Sequence, residues 1–364
     1  MLSRLRRGTT VAGLVLAAVL GAGSWASADA QTPLTGPPPG SAEWVADTGL
    51  GRGLPDPANA SPAEVATFFA ELTDAQQRDL ALRHPQVVGN LDGAPIPLRY
   101  LANSLALAQE TRAQQARADD SSLRREERRL AAAKAARYRE LADHRLLAFD
   151  PRGRGQLAEV FGDLAHDSRT AVLVPGSDTD LATSDRLAGM AEALRSASDD
   201  KVAVVAWTGY TTPVGVGIDA AREDLAEAGA PRLERLVAGL APATGPVTLF
   251  CHSYGSVVCG RSAPDPAQVA GVVVLGSPGM GLARADELRV PVWAVARNPE
   301  DWISEVPNVS VLGFGHGADP TSEAFGAHLL PSAGSHGHSG YFAPGSASLA
   351  AFAALAATGS PTSA

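Results

Sequence analysis

The chain has 364 residues, 45% of them apolar and 19% charged, which suffices to bury at least one sizeable core and excludes a disordered or fibrous polypeptide. Its formal net charge is −9; the first 28 residues hold Arg4, Arg6 and Arg7 and no acid, so the remainder is more acidic still. A body of that sign repels phosphate backbones and anionic lipid, and nucleic acid is not expected as a partner.

The chain opens with the pattern of an export signal. Basic MLSRLRR precedes an apolar stretch from Thr9 to Gly23 and small residues ending at Ala26-Ser27-Ala28, which predicts a signal peptide over 1–28. The apolar run is short for a membrane span, which needs about 20 residues, so an uncleaved anchor is the minor alternative. The expectation is a secreted protein with no stable membrane span after cleavage. Residues 29–60, rich in Pro, Gly, Ser and Ala, read as a linker with a short docked piece.

Residues 61–145 read as a helical region. Ser61-Pro62 with Glu64, and Thr73 with Gln76, have capping-box spacing ahead of AEVATFFAEL and DAQQRDLALR. The Gly/Pro-rich stretch 87–97 interrupts the pattern. A long polar helix or helical hairpin follows to His144, with Leu123, Leu130 and Leu141 spaced for a thin apolar seam and Arg124–Arg129 on a solvated face. From 146 to 364 the period changes. Short Val-rich runs, at Leu146–Phe149, Thr170–Val174, Val202–Trp207, Val247–Cys251, Gly271–Leu275, Val292–Ala296 and Val309–Leu312, alternate with helical patterns. That alternation predicts an α/β domain, a mostly parallel sheet flanked by helices, with its ligand site beyond the carboxyl ends of the strands.

The run VTLFCHSYGSVVCG is the most informative. An apolar strand leads into Cys251-His252-Ser253-Tyr254-Gly255, and a helix-compatible segment follows at once. A nucleophile elbow needs this order, because the tight turn projects the Ser hydroxyl while the following helix N-terminus faces a developing oxyanion. Cys251 stands where the usual pentapeptide has Gly. The alternative is an ordinary strand-to-helix loop. A Ser nucleophile requires a base and an acid, in the order Ser, acid, His. Asp301, in ARNPEDW after a late strand, is the candidate acid, with Glu300 and Asp319 as rivals; His338, in SHGHSGYF, is the candidate base, with His336 and His316 as rivals. The backbone N–H groups of Tyr254 and of Ser177, in VLVPGSDTD, are the candidate oxyanion donors. Trp207, Tyr210 and Met280 lie just past strand ends and are candidate pocket residues, generic packing being the alternative. Cys251 and Cys259 are the only cysteines, and in an exported protein a disulfide between strand and helix is expected, two buried thiols being the alternative. His336, His338, His316 and Asp319 have no rigid ligand spacing, so no metal site is expected, and no cofactor is called for.

The motifs NLDG, VLVPGSDTDL, VAWTGYTTP, CHSYGSVVCG, VVVLGSPGM, GFGHGADP and GHSGYF together resemble an actinobacterial, often exported α/β-hydrolase family of unknown function. The resemblance implies an α/β-hydrolase fold preceded by an N-terminal helical region, with Ser253 as nucleophile, His338 as base and Asp301 at the position of an acidic residue. The expected function is a secreted serine hydrolase of the esterase type acting on a small-molecule ester or acyl substrate. A catalytically silent binding protein on the same fold, and an amide or peptide hydrolase, are the alternatives. The sequence leaves the oligomeric state open.

Overall fold

The computed structural model describes residues 30–311 and 313–359; the expected signal peptide lies outside the described residues. The first described helices form a compact group: α1 (Ser41–Ala46), α2 (Pro62–Ala70), α3 (Asp74–Arg83), α4 (Pro85–Asn90), α5 (Ile96–Asp119) and α6 (Arg125–Glu140). Ser61 with Glu64 and Thr73 with Gln76 close reciprocal capping boxes, as their spacing predicts. Helices α5 and α6 form the hairpin. Its seam differs from the expected leucine line: Leu130 is exposed, Leu123 sits in the connecting turn, and the buried face of α6 is Ala131, Ala135 and Tyr138, continued by Leu141. Small alanines let two helices approach closely, which a leucine count overlooks.

The linker expectation for 29–60 also needs correction over its described part. Trp44 is fully buried among Val65, Phe69 and Leu80, and its indole donates to the Pro55 carbonyl at 2.7 Å. Gln31 donates to the Thr212 carbonyl (3.2 Å) and accepts from Val214 N–H (2.8 Å), so this segment is strapped to the body from its beginning. One buried indole and a few backbone bonds outweigh the Pro/Gly composition.

The rest is built on one eight-stranded sheet: β1 (Leu146–Asp150), β2 (Gln156–Phe161), β3 (Arg169–Val174), β4 (Val202–Thr208), β5 (Val247–His252), β6 (Val269–Leu275), β7 (Val292–Val295) and β8 (His328–Leu330). Their spatial order is β1-β2-β4-β3-β5-β6-β7-β8; β2 runs antiparallel to both neighbours and the pairs from β4 to β8 are parallel. Two strands are absent from the sequence reading. Strand β2 carries Gln156 and Glu159 on its buried pattern, the latter paired with His144 at 2.5 Å, so it does not read as an apolar run. Strand β8 has three residues, too few for any period. The strand expected at Val309–Leu312 does not form: Val311 makes an isolated bridge to Phe314, and Leu312 lies outside the described residues. The edge of β7 is taken by β8 instead.

Helices α7 (Asp185–Ala197), α8 (Ile218–Ala221), α9 (Asp224–Thr244), α10 (Gly255–Arg261) and α11 (Ala347–Thr358) complete the fold. Alternate strand residues serve opposite faces. Val172, Val205, Leu249 and Val272 pack with α9 and α10, whereas Leu173, Val204, Phe250 and Val273 pack with α7 and α11. The N-terminal helices cover the β1 edge: Asn90 exchanges hydrogen bonds with the Phe149 backbone (2.8 and 3.0 Å), and Asn103 donates to the Leu146 and Gly89 carbonyls (both 2.9 Å). Arg99, itself buried, pairs with Asp92 at 3.0 Å and donates to the Gly89 carbonyl. The NLDG turn and the following arginine thus tie an edge strand down, which blocks the pairing an open edge invites.

Candidate active site

Strand β5 ends at His252, helix α10 begins at Gly255, and Ser253 occupies the turn between them with φ 55°. A left-handed Ser costs about 1–2 kcal/mol, sustained here by its N–H donating to the Leu275 carbonyl at 3.0 Å and by close packing. Two glycines make that packing possible. A methyl at Gly255 would sit 2.3 Å from the Val174 carbonyl oxygen, and one at Gly176 would sit 2.5 Å from Ser253 Cβ and 2.9 Å from its Oγ. At the position two before the serine, Cys251 is fully buried and its side chain is bonded to Cys259 of α10, with Cα atoms 6.5 Å apart. The disulfide expected from sequence therefore joins the strand and helix that flank the turn.

Ser253 Oγ lies 2.8 Å from His338 Nε2, and His338 Nδ1 lies 2.8 Å from Asp301 Oδ1. Asp301 follows β7 and is 1% exposed. Burial alone would raise its carboxyl, but hydrogen bonds from His338, the Tyr341 hydroxyl (2.6 Å) and Ile303 N–H (3.0 Å) outweigh burial and hold it below the usual carboxylate range. An ionised Asp301 accepts a hydrogen bond from His338 Nδ1–H, which leaves Nε2 as an acceptor facing the serine hydroxyl. His252 donates Nε2–H to the His338 carbonyl at 2.8 Å, and Asn298 donates to the Gly337 carbonyl at 2.9 Å, so the His338 loop is held at both residues. Burial, reinforced by His338, pushes His252 down to about 4, which keeps it neutral and a one-proton donor near pH 7. Trp302 lies against His338 in a tilted ring contact with centroids 4.5 Å apart.

The rivals are elsewhere. Glu300 and His336 pair with each other at 3.2 Å on the surface. Asp319 pairs with Arg297 at 3.2 Å, and His316 is buried against Tyr254, its Nε2 donating to the Ala220 carbonyl at 2.7 Å. The structure thus does not assemble His316, Asp319 and His338 into one cluster.

The turn after β3 approaches Ser253 from the other side. Among the described residues, the N–H groups of Tyr254 and Ser177 have no hydrogen-bond partner. A methyl at Gly176, the residue before Ser177, would lie 3.0 Å from Tyr254 N, so the two donors flank the serine closely. That turn is fastened to the loop after β4 by Tyr210, whose hydroxyl donates to the Pro175 carbonyl (2.6 Å), and by Asp178, which bonds the Pro213 carbonyl (2.9 Å) and Gly215 N–H (2.8 Å). A cavity of about 230 Å³ opens at Ser253 and His338, with Leu187, Met190, Val216 and Trp302 as its apolar walls.

The pocket expectation is corrected on all three residues. Trp207 and Tyr210 stack on each other at 5.9 Å and belong with Met280 to the core on the α9–α10 side, away from this cavity. A strand-end position does not reveal to which face the side chain points. Tyr210 instead braces the Ser177 turn. Sequence reading missed Tyr341 and His252 as supports of the site; Tyr341 stands in GHSGYF and His252 in CHSYG, so the motifs held the signal. It also missed Leu187, Met190 and Val216, for which no local signal exists.

Residues 150–311 match the family described as Alpha/beta hydrolase. The chain has the α/β-hydrolase fold. Within that fold the chain is similar to Uncharacterized protein Rv2079 of Mycobacterium tuberculosis, 28% identical over 83% of this chain and 56% of that protein. It is also similar to Uncharacterized protein Mb0988c of Mycobacterium bovis, 33% identical over 39% of this chain and 59% of that protein. The chain therefore spans little more than half the length of these curated relatives. Among solved α/β structures, 2,6-dihydroxy-pseudo-oxynicotine hydrolase is similar at 14% identity and a TM-score of 0.40, covering 82% of this chain and 94% of that one.

Proposed function

We propose that this α/β-hydrolase-fold protein is a secreted serine hydrolase that cleaves a small-molecule carboxylic ester through an acyl-enzyme. The observation that carries the reading is the continuous hydrogen-bonded line from Ser253 through His338 to buried Asp301. In the proposed reaction Ser253 Oγ attacks the ester carbonyl carbon while His338 Nε2 takes the hydroxyl proton. Asp301 fixes the tautomer and stabilises the imidazolium. The free N–H groups of Tyr254 and Ser177 receive the oxyanion, the kind of contribution that typically changes a rate by about 10²–10³ per donor. Collapse breaks the bond to the alcohol oxygen, which leaves with the proton from His338. Water, deprotonated by the same imidazole, then attacks the acyl carbon; the bond to Ser253 Oγ breaks, Oγ takes the proton back from His338, and the carboxylic acid is released. The apolar walls Leu187, Met190, Val216 and Trp302 suit an acyl chain. Export is supported by the MLSRLRR signal pattern, and the Cys251–Cys259 bond suits an oxidising compartment.

Fluorophosphonate labelling of the mature protein, with peptide mapping and Ser253→Ala as control, tests the reading. Labelling at Ser253, lost in the alanine variant, is the expected result. Folded protein that takes no label, or takes it at another serine, overturns it.

A further inference from the structure

A second cavity, of about 220 Å³, lies between β1–β2, helix α9 and the N-terminal segment at 36–38 and 57–58, and shares no lining residue with the cavity at Ser253. Four guanidinium groups line it, those of Arg99, Arg152, Arg232 and Arg235, with Trp207 as an apolar wall. Two carboxylates answer them: Asp92 pairs with Arg99 at 3.0 Å and Asp150 with Arg152 at 2.6 Å. Arg232 and Arg235 have no carboxylate partner among the described residues. Arg232 is held by neutral acceptors, the Gly209 carbonyl and Gln156 Oε1, each at 2.5 Å, and Arg235 by the Ala60 carbonyl at 2.8 Å.

Two further observations point to a missing anion. Gln156 is 4% exposed and lines the cavity, yet its Nε2 donor has no partner. An orphaned buried amide costs about 1–3 kcal/mol, which proteins seldom leave uncompensated. Burial is also the leading influence on Arg232 and pushes it below its ordinary value, with Arg152 and Arg235 acting in the same sense against Asp150 and Asp92. Water filling the cavity would satisfy the amide but leave the desolvated Arg232 without a carboxylate in contact. Planar guanidinium forks and an unpartnered amide N–H lining one cavity match a compact oxyanion, which accepts from each.

We propose that this cavity is a binding site for a small, doubly charged oxyanion, a phosphoryl or dicarboxylate group, held by Arg232, Arg235 and Gln156. The site is independent of the hydrolase reading. Arg232 also donates to the carbonyl of Gly209, the residue before Tyr210, which braces the Ser177 turn.

The test is titration of the mature full chain with inorganic phosphate, and separately with succinate, followed by calorimetry and thermal melting at ionic strength held constant with sodium chloride. Saturable binding of at least one anion is expected. It should weaken at least tenfold in Arg232→Gln and in Arg235→Gln, and persist in Ser253→Ala. Should Arg232→Gln fail to fold, Arg235→Gln decides, because its one hydrogen bond, to Ala60, lies at the periphery. Response to phosphate alone identifies a phosphoryl ligand, and to succinate alone a dicarboxylate. Response to neither, or binding unchanged in the arginine variants that fold, overturns the proposal.

Discussion

Asp301 shows how one residue's surroundings decide its chemistry. Its side chain is buried, which by itself favours the neutral acid, yet three donors keep it ionised. One of them, the Tyr341 hydroxyl, touches neither Ser253 nor the cavity at that serine. Burial and the adjacent carboxylate raise the Tyr341 phenol well above its ordinary value, so it stays a donor. Replacing Tyr341 by Phe removes a hydrogen bond to a charged group, a loss of about 1.5–3 kcal/mol at neutral pH. The sign with pH follows from linkage. A carboxyl lowered in the folded state contributes stability that is present above its unfolded value, near 4, and lost as pH falls through the folded value. Because Phe raises the folded value, the stability curves of wild type and Tyr341→Phe are expected to converge toward pH 3. Urea denaturation at pH 7 and pH 3 measures this, and a constant gap would contradict it. The serine turn was legible because a strand, one Ser and a helix follow each other locally. The choice of acid was not, since Glu300 and Asp301 are neighbours and only the fold turns one inward and the other to His336 on the surface.

At the scale of elements, the serine turn depends on how closely β5, α10 and the end of β3 approach. Gly176 and Gly255 permit the approach, and the Cys251–Cys259 bond clamps it. The bond closes a loop with a sequence separation of 8, for which chain entropy gives about 2–3 kcal/mol of stabilisation. Reduction and alkylation, or Cys259→Ala, are expected to lower stability by that amount and to slow fluorophosphonate labelling at Ser253. Intact mass before and after reduction counts the bridge directly; an unchanged mass without reductant, after alkylation under denaturing conditions, is the expected sign that both thiols are engaged. The cysteine that replaces the usual glycine is thus tolerated because its side chain points into the strand–helix interface rather than at the serine.

For the whole molecule, the N-terminal helices matter as an edge cover. They meet β1 through Asn90 and Asn103 and meet α9 near Gly93, where a methyl at Gly239 would lie 2.9 Å from the Gly93 nitrogen. None of them lines the cavity at Ser253. Asn103→Ala is therefore expected to cost about 1–3 kcal/mol, the loss of a buried amide that serves two carbonyls, while the labelling rate of the folded fraction stays within twofold. Chemical denaturation and labelling kinetics on one preparation separate the two effects, and a large loss of labelling without loss of stability would make these helices part of the active site.

Local pattern along the chain encodes the helical start, the alternation of apolar strands with helices, the serine turn, and the loops that carry Asp301 and His338. Capping boxes, period changes and a strand–Ser–helix succession lie within a few residues of one another, so they survive in one dimension. Features that depend on distant partners are set by the folded arrangement instead. Ser253 meets His338 across 85 residues and His338 meets Asp301 across 37. Strands β2 and β8 exist because of their neighbours rather than their own composition. Trp207 turned toward α9 and residues from Gln31 onward were strapped to the body by contacts between segments remote in the chain. The physical reason is common to all of these: a side chain's face, a short strand's partner and a loop's docking are fixed by packing across the sheet, and packing has no period along the sequence.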